Sequence, residues 1–258
     1  MIRMRTDVFA ESLGMGTSMV VLYPQAAAGI GMEGSDGSGT AERGVPVLYL
    51  LHGLSDDCTI WERRTSIERY ATEKGIAVVM PEVRRSFYAD EAVGENYWAF
   101  VSEELPALVA STFHVSTARE DTFVAGLSMG GFGAFKLALN HPDRFAAAAS
   151  LSGVLDTRGF HQSEHGGHLA ERVWAGKPLE GTADDLIGLL DQADPAVLPQ
   201  LFVDCGTEDF LIEHNRRFLA AAEGRGVEVT SRLRPGAHTW DFWDTGIQDV
   251  LDWLPIRD

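Results

Sequence analysis

Two cysteines, Cys58 and Cys205, are all the sulfhydryl chemistry that 258 residues contain, too little for a disulfide framework. Both fall near the ends of predicted strands and read as two free thiols of a reducing compartment. Long apolar runs are missing as well. No stretch approaches the ~18 residues that a membrane span needs, and Met1-Ile2-Arg3-Met4-Arg5-Thr6-Asp7 leads into no apolar segment with a small-residue cleavage site, so cytoplasmic residence is expected. Positive charge is scarce. With 21 Lys and Arg against 38 Asp and Glu, the formal charge is −17, and such a field repels both nucleic acid and anionic membrane surfaces, so neither is expected as a partner. Glycine-rich phosphate cradles of the dinucleotide or P-loop type are absent, and no nucleotide cofactor is expected. No repeat recurs at periods of about 20 to 50 residues, which removes solenoids and propellers.

What is present is material for a core: 45% hydrophobic and 23% charged residues describe a globular chain. Short apolar runs alternate with helical patterns, the signature of βαβ units and a mostly parallel sheet. Ile2 to Phe9 and Thr17 to Tyr23 read as an antiparallel edge pair. Residues 26 to 46, rich in Ala, Gly and Ser, read as a mobile hairpin loop. Val45 to Leu51 and Ala77 to Met80 read as buried strands around a helix from Trp61 to Lys74 that stops at Gly75. A helix from Asn96 to Phe113 precedes the strand Thr122-Phe123-Val124-Ala125, which an amphipathic helix from Gly131 to Asn140 follows. Phe145 to Leu151, Gln200 to Asp204 and Val227 to Leu233 complete the buried strands, with helices at 212 to 223 and 241 to 254. Residues 155 to 198 break the alternation and read as a cap-like insertion above the sheet.

Between the strand ending at Ala125 and the helix after it lies Gly126-Leu127-Ser128-Met129-Gly130. A serine that attacks a carbonyl sits at the tip of a turn too tight for side chains two residues either way, which is what the flanking glycines supply. Ser128 is therefore the candidate nucleophile. A serine hydroxyl needs a histidine base and a carboxylate behind it. The strand ending at Asp204 runs into Glu208 and Asp209, and the next strand runs into His238, giving the order serine, acid, histidine, all at the C-terminal edge of one sheet. Asp209 is the preferred acid, with Glu208 the alternative. Donors for the oxyanion are expected from the backbone N–H of Met129 and from the loop Leu51-His52-Gly53-Leu54. In that loop the N–H of Leu54 is preferred over that of Gly53, and His52 is assigned a structural role.

His161, Glu164, His165 and His168 share a helical spacing that could suit a metal, but Gly166-Gly167 spoils the helix and the polar-loop reading is preferred, with no metal expected. Trp61, Trp98 and Trp240 could line a pocket; Trp240, two residues from His238, has the best claim to touch substrate. Asp56-Asp57 reads as a solvated turn or a helix cap.

Together, Val45 to Leu54, Ala125 to Ala134, Cys205 to Asp209 and His238 to Trp243 resemble the putative-esterase branch of the α/β-hydrolases, a branch that includes S-formylglutathione hydrolases, feruloyl and acetyl-xylan esterases and mycolyltransferases. Asn96-Tyr97-Trp98 and Glu103-Glu104-Leu105-Pro106 are similar to this branch too, and the chain looks most like bacterial tributyrin esterases. The resemblance implies a single α/β-hydrolase domain over 1–258, with a mostly parallel sheet of about eight strands and helices on both faces. It also implies a cofactor-free serine carboxylesterase for short-chain acyl esters, with Ser128, Asp209 and His238 as triad and Leu54 and Met129 as oxyanion hole; S-formylglutathione, feruloyl or acetyl-xylan ester hydrolysis is the alternative, and acyl transfer on the same triad or a non-catalytic binding role ranks below it. A homo-oligomer is a further implication of the resemblance alone.

Overall fold

The computed structural model describes residues 1–25, 43–158 and 167–257. Eight strands form one sheet: β1 (Ile2–Ala10), β2 (Met15–Tyr23), β3 (Val47–Leu51), β4 (Ala77–Pro81), β5 (Thr122–Leu127), β6 (Ala147–Leu151), β7 (Gln200–Gly206) and β8 (Val229–Arg234). Their order is β1-β2-β4-β3-β5-β6-β7-β8. The pairs β1–β2 and β2–β4 are antiparallel, and every pairing from β4 to β8 is parallel. This is the α/β-hydrolase sheet implied by the sequence, with its antiparallel edge pair in place.

Strand alternation divides the core in two. Val47, Tyr49 and Leu51 of β3 face one cluster with α4 (Leu105–Thr112), α5 (Met129–Asn140), α6 (Gly167–Trp174), α7 (Leu186–Gln192) and α8 (Ile212–Gly224). Leu48 and Leu50 face the other, with α1 (Ile60–Arg64), α2 (Ile67–Lys74) and α9 (Trp240–Trp253). Because both faces are covered, the central strands β3 and β4 are apolar throughout. β8 is the exception to the buried set expected from sequence: it is an edge strand, mostly exposed from Thr230 to Leu233.

Three further expectations are corrected. The helix read from 61 to 74 is two helices, because Thr65 is extended and uses its hydroxyl twice, donating to Trp61 O (2.6 Å) and accepting from Ile67 N (3.1 Å). The helix read from 96 to 113 begins as α3 (Tyr97–Ala99) and widens into a π-helical stretch at Phe100–Glu104 before Pro106 and α4. Pro106 has no N–H for Ser102 O, and the Arg144 guanidinium serves that carbonyl instead. Finally, the second half of the 155–198 insertion is built into the body of the fold. Helix α7 packs between α5 and α8, burying Leu186, Ile187 and Leu190. Most of the 26–46 loop lies outside the described residues.

Candidate active site

Ser128 lies where β5 becomes α5, with φ 55° and ψ −116°, a left-handed conformation costly for a residue with a Cβ. Packing enforces the turn. A Cβ on Gly126 would stand 2.9 Å from Gly130 Cα, and one on Gly130 would stand 2.8 Å from His52 O, so the two glycines let strand, helix and neighbouring loop approach backbone to backbone. The Ser128 N–H donates to Leu151 O (2.9 Å), and its carbonyl accepts from Phe132 N (3.1 Å), which seats the elbow between β6 and the first turn of α5.

Two and three strands away from β5, β7 and β8 end in register at Gly206 and Arg234. The loops that follow are stitched together: Thr207 N donates to Arg234 O (2.9 Å), and Glu208 N to Gly236 O (3.0 Å). This stitching brings the acid to the histidine. Asp209 Oδ2 lies 2.9 Å from His238 Nδ1, and Asp209 Oδ1 accepts the Leu211 N–H at 2.8 Å. Burial pushes the Asp209 carboxyl up, but the bonds from His238, Leu211 and Ser152 outweigh it and hold the pKa below the usual carboxylate value. Glu208 points elsewhere. It is exposed, and its carboxylate accepts from Gly236 N (2.5 Å) and Thr207 Oγ1 (2.7 Å), clipping the histidine loop from outside.

The loop after β3 is held from within by His52, 1% exposed. Its Nδ1 is 2.8 Å from Gly53 O and its Nε2 3.1 Å from Val83 N; a carbonyl must receive a proton and an N–H must donate one, so the ring is the neutral Nδ1–H tautomer. Tyr88 Oη donates to His52 O at 2.9 Å. Leu54 follows this anchored segment, partly buried, and Met129 opens α5, fully buried. Asp57 caps the next turn, accepting from Thr59 N and Oγ1 at 2.8 and 2.6 Å. Asp56 stands near Gly53, its pKa raised chiefly by burial.

Trp240 opens α9 and packs edge-on to Trp61 (5.4 Å) and Trp243 (5.2 Å). Trp61 is fully buried, with Nε1 donating to Leu51 O, and Trp98 stacks on His141. Three neighbours of the histidine and acid escaped the sequence reading. Phe210, 72% exposed, lies over His238 at 4.5 Å, and Trp243 meets the imidazole edge-on at 4.7 Å. Ser152, fully buried at φ 50°, accepts from Trp243 Nε1 at 3.1 Å. Positive φ at Ser152 leaves no mark in sequence, whereas Phe210 and Trp243 adjoin the acid and histidine motifs.

Of the four residues weighed as metal ligands, His161, Glu164 and His165 lie outside the described residues, and His168 is exposed at the start of α6. Among the described residues no group of His, Cys, Asp or Glu is placed to hold a metal, and no helix is long and apolar enough to cross a membrane. Cys58 and Cys205 are buried and unbridged.

Residues 35–254 match the family model described as Putative esterase. An acetyl esterase of Caldicellulosiruptor saccharolyticus is 30% identical over 80% of this chain and 82% of its own length. Among solved structures, the fluorophosphonate-binding serine hydrolase F (FphF) of Staphylococcus aureus superposes with a TM-score of 0.87 at 34% identity, over 100% of this chain and 99% of its own. The S-formylglutathione hydrolase FrmB of the same organism gives 0.82 at 32% identity, over 98% of both chains. With its eight-stranded sheet, its strained serine elbow and these relatives, the chain belongs to the putative esterase family and is a carboxylic ester hydrolase of the α/β-hydrolase fold.

Proposed function

We propose that the protein is a serine carboxylesterase for short-chain acyl esters, with Ser128, His238 and Asp209 as its triad. The observation that carries this reading is the 2.9 Å contact between His238 Nδ1 and a buried Asp209, at the same sheet edge as the strained Ser128 elbow. With Nδ1–H directed at Asp209, His238 Nε2 is the free base. It takes the Ser128 proton as Oγ attacks the ester carbonyl, and the tetrahedral oxyanion is met by the N–H groups of Leu54 and Met129. The protonated imidazole then delivers its proton to the departing alcohol, leaving an acyl group on Ser128. Water attacks that acyl group with His238 again as base, and the acid departs. Trp240, two residues after His238 and packed on Trp61 and Trp243, is a candidate for the wall of the substrate site.

The preference for small acyl groups is supported by the acetyl esterase relative. The likeness to an S-formylglutathione hydrolase at 32% identity over 98% of both chains favours a second reading, a small thioester as substrate on the same machinery. The test is a panel of p-nitrophenyl esters of increasing acyl length run beside S-formylglutathione and methyl ferulate, with Ser128→Ala as control. The proposal expects highest kcat/KM on the shortest esters and a burst of p-nitrophenol equal to one per active site. A kcat/KM that rises steadily with acyl length, or activity surviving in Ser128→Ala, contradicts it.

A further inference from the structure

Lys136 lies on α5, about two turns beyond the elbow, and is only 2% exposed. A buried ammonium is among the most expensive groups to remove from water unless it is paired. Its Nζ sits 2.5 Å from Asp184 Oδ1, donates to Tyr88 O at 2.9 Å and lies 4.3 Å from the centre of the Trp98 ring. Burial draws its pKa down while Asp184 pushes it back up.

The three partners come from separate parts of the chain, and one of them, Tyr88, bonds to the loop that leads to Leu54. Asp184 is part of the 155–198 insertion and also accepts the Trp174 indole N–H at 2.9 Å. Tyr88 closes a loop in which Arg84, Phe87 and Tyr88 all have φ between 52° and 54°. Three non-glycine residues in that region persist only where surrounding contacts over-determine them. Those contacts are in place: Lys136 on Tyr88 O, the Trp174 ring edge-on to Phe87 at 5.5 Å, Arg172 Nη2 on Arg85 O at 2.6 Å, and Gly133, where a Cβ would strike the Tyr88 ring at 2.5 Å. Beyond Tyr88 the path continues through Tyr88 Oη to His52 O and through the His52 ring to Gly53 O, one residue before Leu54.

We propose that Lys136 is a positioning residue: its ion pair with Asp184 clamps the insertion to the 84–88 loop and, through Tyr88 and His52, sets the oxyanion loop in register with the elbow. This rests on Leu54 and Met129 being the oxyanion donors. Stability alone is a poor reason for the pair, because a buried ion pair can often be replaced by neutral groups without loss. A displacement of the oxyanion loop on the order of an ångström would instead cost turnover.

The test uses Lys136→Met and Asp184→Asn, singly and together. Asparagine keeps an acceptor for Trp174 Nε1 while removing the charge, so the test survives if Lys136→Met fails to fold. Turnover of p-nitrophenyl acetate is measured per active site titrated by the burst, beside the affinity of a boronic acid that forms a tetrahedral adduct on the nucleophilic serine. The expectation is a fall in kcat of about tenfold or more with KM within about twofold, a parallel fall in boronate affinity, and a double variant no worse than the weaker single one. Wild-type kcat and boronate affinity per titrated site in folded Asp184→Asn would overturn the proposal. Failure of the triad reading would appear separately, as wild-type protein without a burst or with activity indifferent to Ser128→Ala.

Discussion

Replacing Asp209 with asparagine is the sharpest test of the acid. The Leu211 N–H donates to Asp209 Oδ1 at 2.8 Å, so an asparagine there keeps its amide oxygen on Leu211 and turns its NH2 toward His238 Nδ1. Facing a donor, Nδ1 must become the acceptor, and the ring proton moves to Nε2. The base then presents N–H to the Ser128 hydroxyl where it needs a lone pair. The same wrong-tautomer swap in a serine protease costs about 10⁴ in kcat, equivalent to about 5.4 kcal/mol of barrier. Glu208→Gln is the matched control: its amide oxygen can still accept from Gly236 N, so the clip on the histidine loop survives and the loss stays below about tenfold. The assay is steady-state turnover of p-nitrophenyl acetate, normalised by burst titration, with circular dichroism melts to confirm folding. If folded Asp209→Asn kept kcat within tenfold of wild type, or Glu208→Gln lost more than Asp209→Asn, the assignment of the acid would fail.

Gly130→Ala places a methyl 2.7 Å from the Leu51 carbonyl carbon and 2.8 Å from His52 O, both backbone atoms; we expect a Tm lowered by about 3–10 °C and a loss of activity larger than the melt explains. An unchanged melt and rate would show that the elbow does not need its glycine. Asp156 is 2% exposed; burial raises its carboxyl, but bonds from Arg158 and Arg217 prevail and its pKa is lowered. Its folded value lies below the unfolded ~3.9, so its contribution is complete above that value and lost as pH falls through the folded pKa. Asp156→Asn should therefore lower Tm at pH 7 and flatten its decline from about pH 5 to 3, as followed by thermal melts; parallel Tm curves for the two proteins would refute this.

The parallel part of the sheet was readable because its inner strands are apolar runs too short for helices and bounded by turn residues. The ends of those strands carry the motif residues, so His238 could be paired by order with the Glu208-Asp209 segment, and the structure brings Asp209 to it. Side chains that rewire backbone bonding were less visible. Thr65 breaks a helix that periodicity carries through, and Pro106 distorts one whose apolar pattern is uninterrupted, because the deciding hydrogen bonds are made by a single hydroxyl and by Arg144, 38 residues beyond Pro106 in sequence. Helix α7 was hidden for a different reason: a seven-residue helix among Gly, Asp and Pro has too few turns to show a period. Nothing in the sequence singles out Lys136 on its helix, and only its partners from residues 88, 98 and 184 reveal why it is buried.

The central claim is that acyl transfer passes through Ser128, and trapping the intermediate tests it most directly. Protein mixed with p-nitrophenyl acetate, quenched in acid within the burst and digested for mass spectrometry, should carry one acetyl group on the peptide containing Ser128, and Ser128→Ala should carry none. Full turnover with no acetylated Ser128, or the same label in Ser128→Ala, would contradict the account.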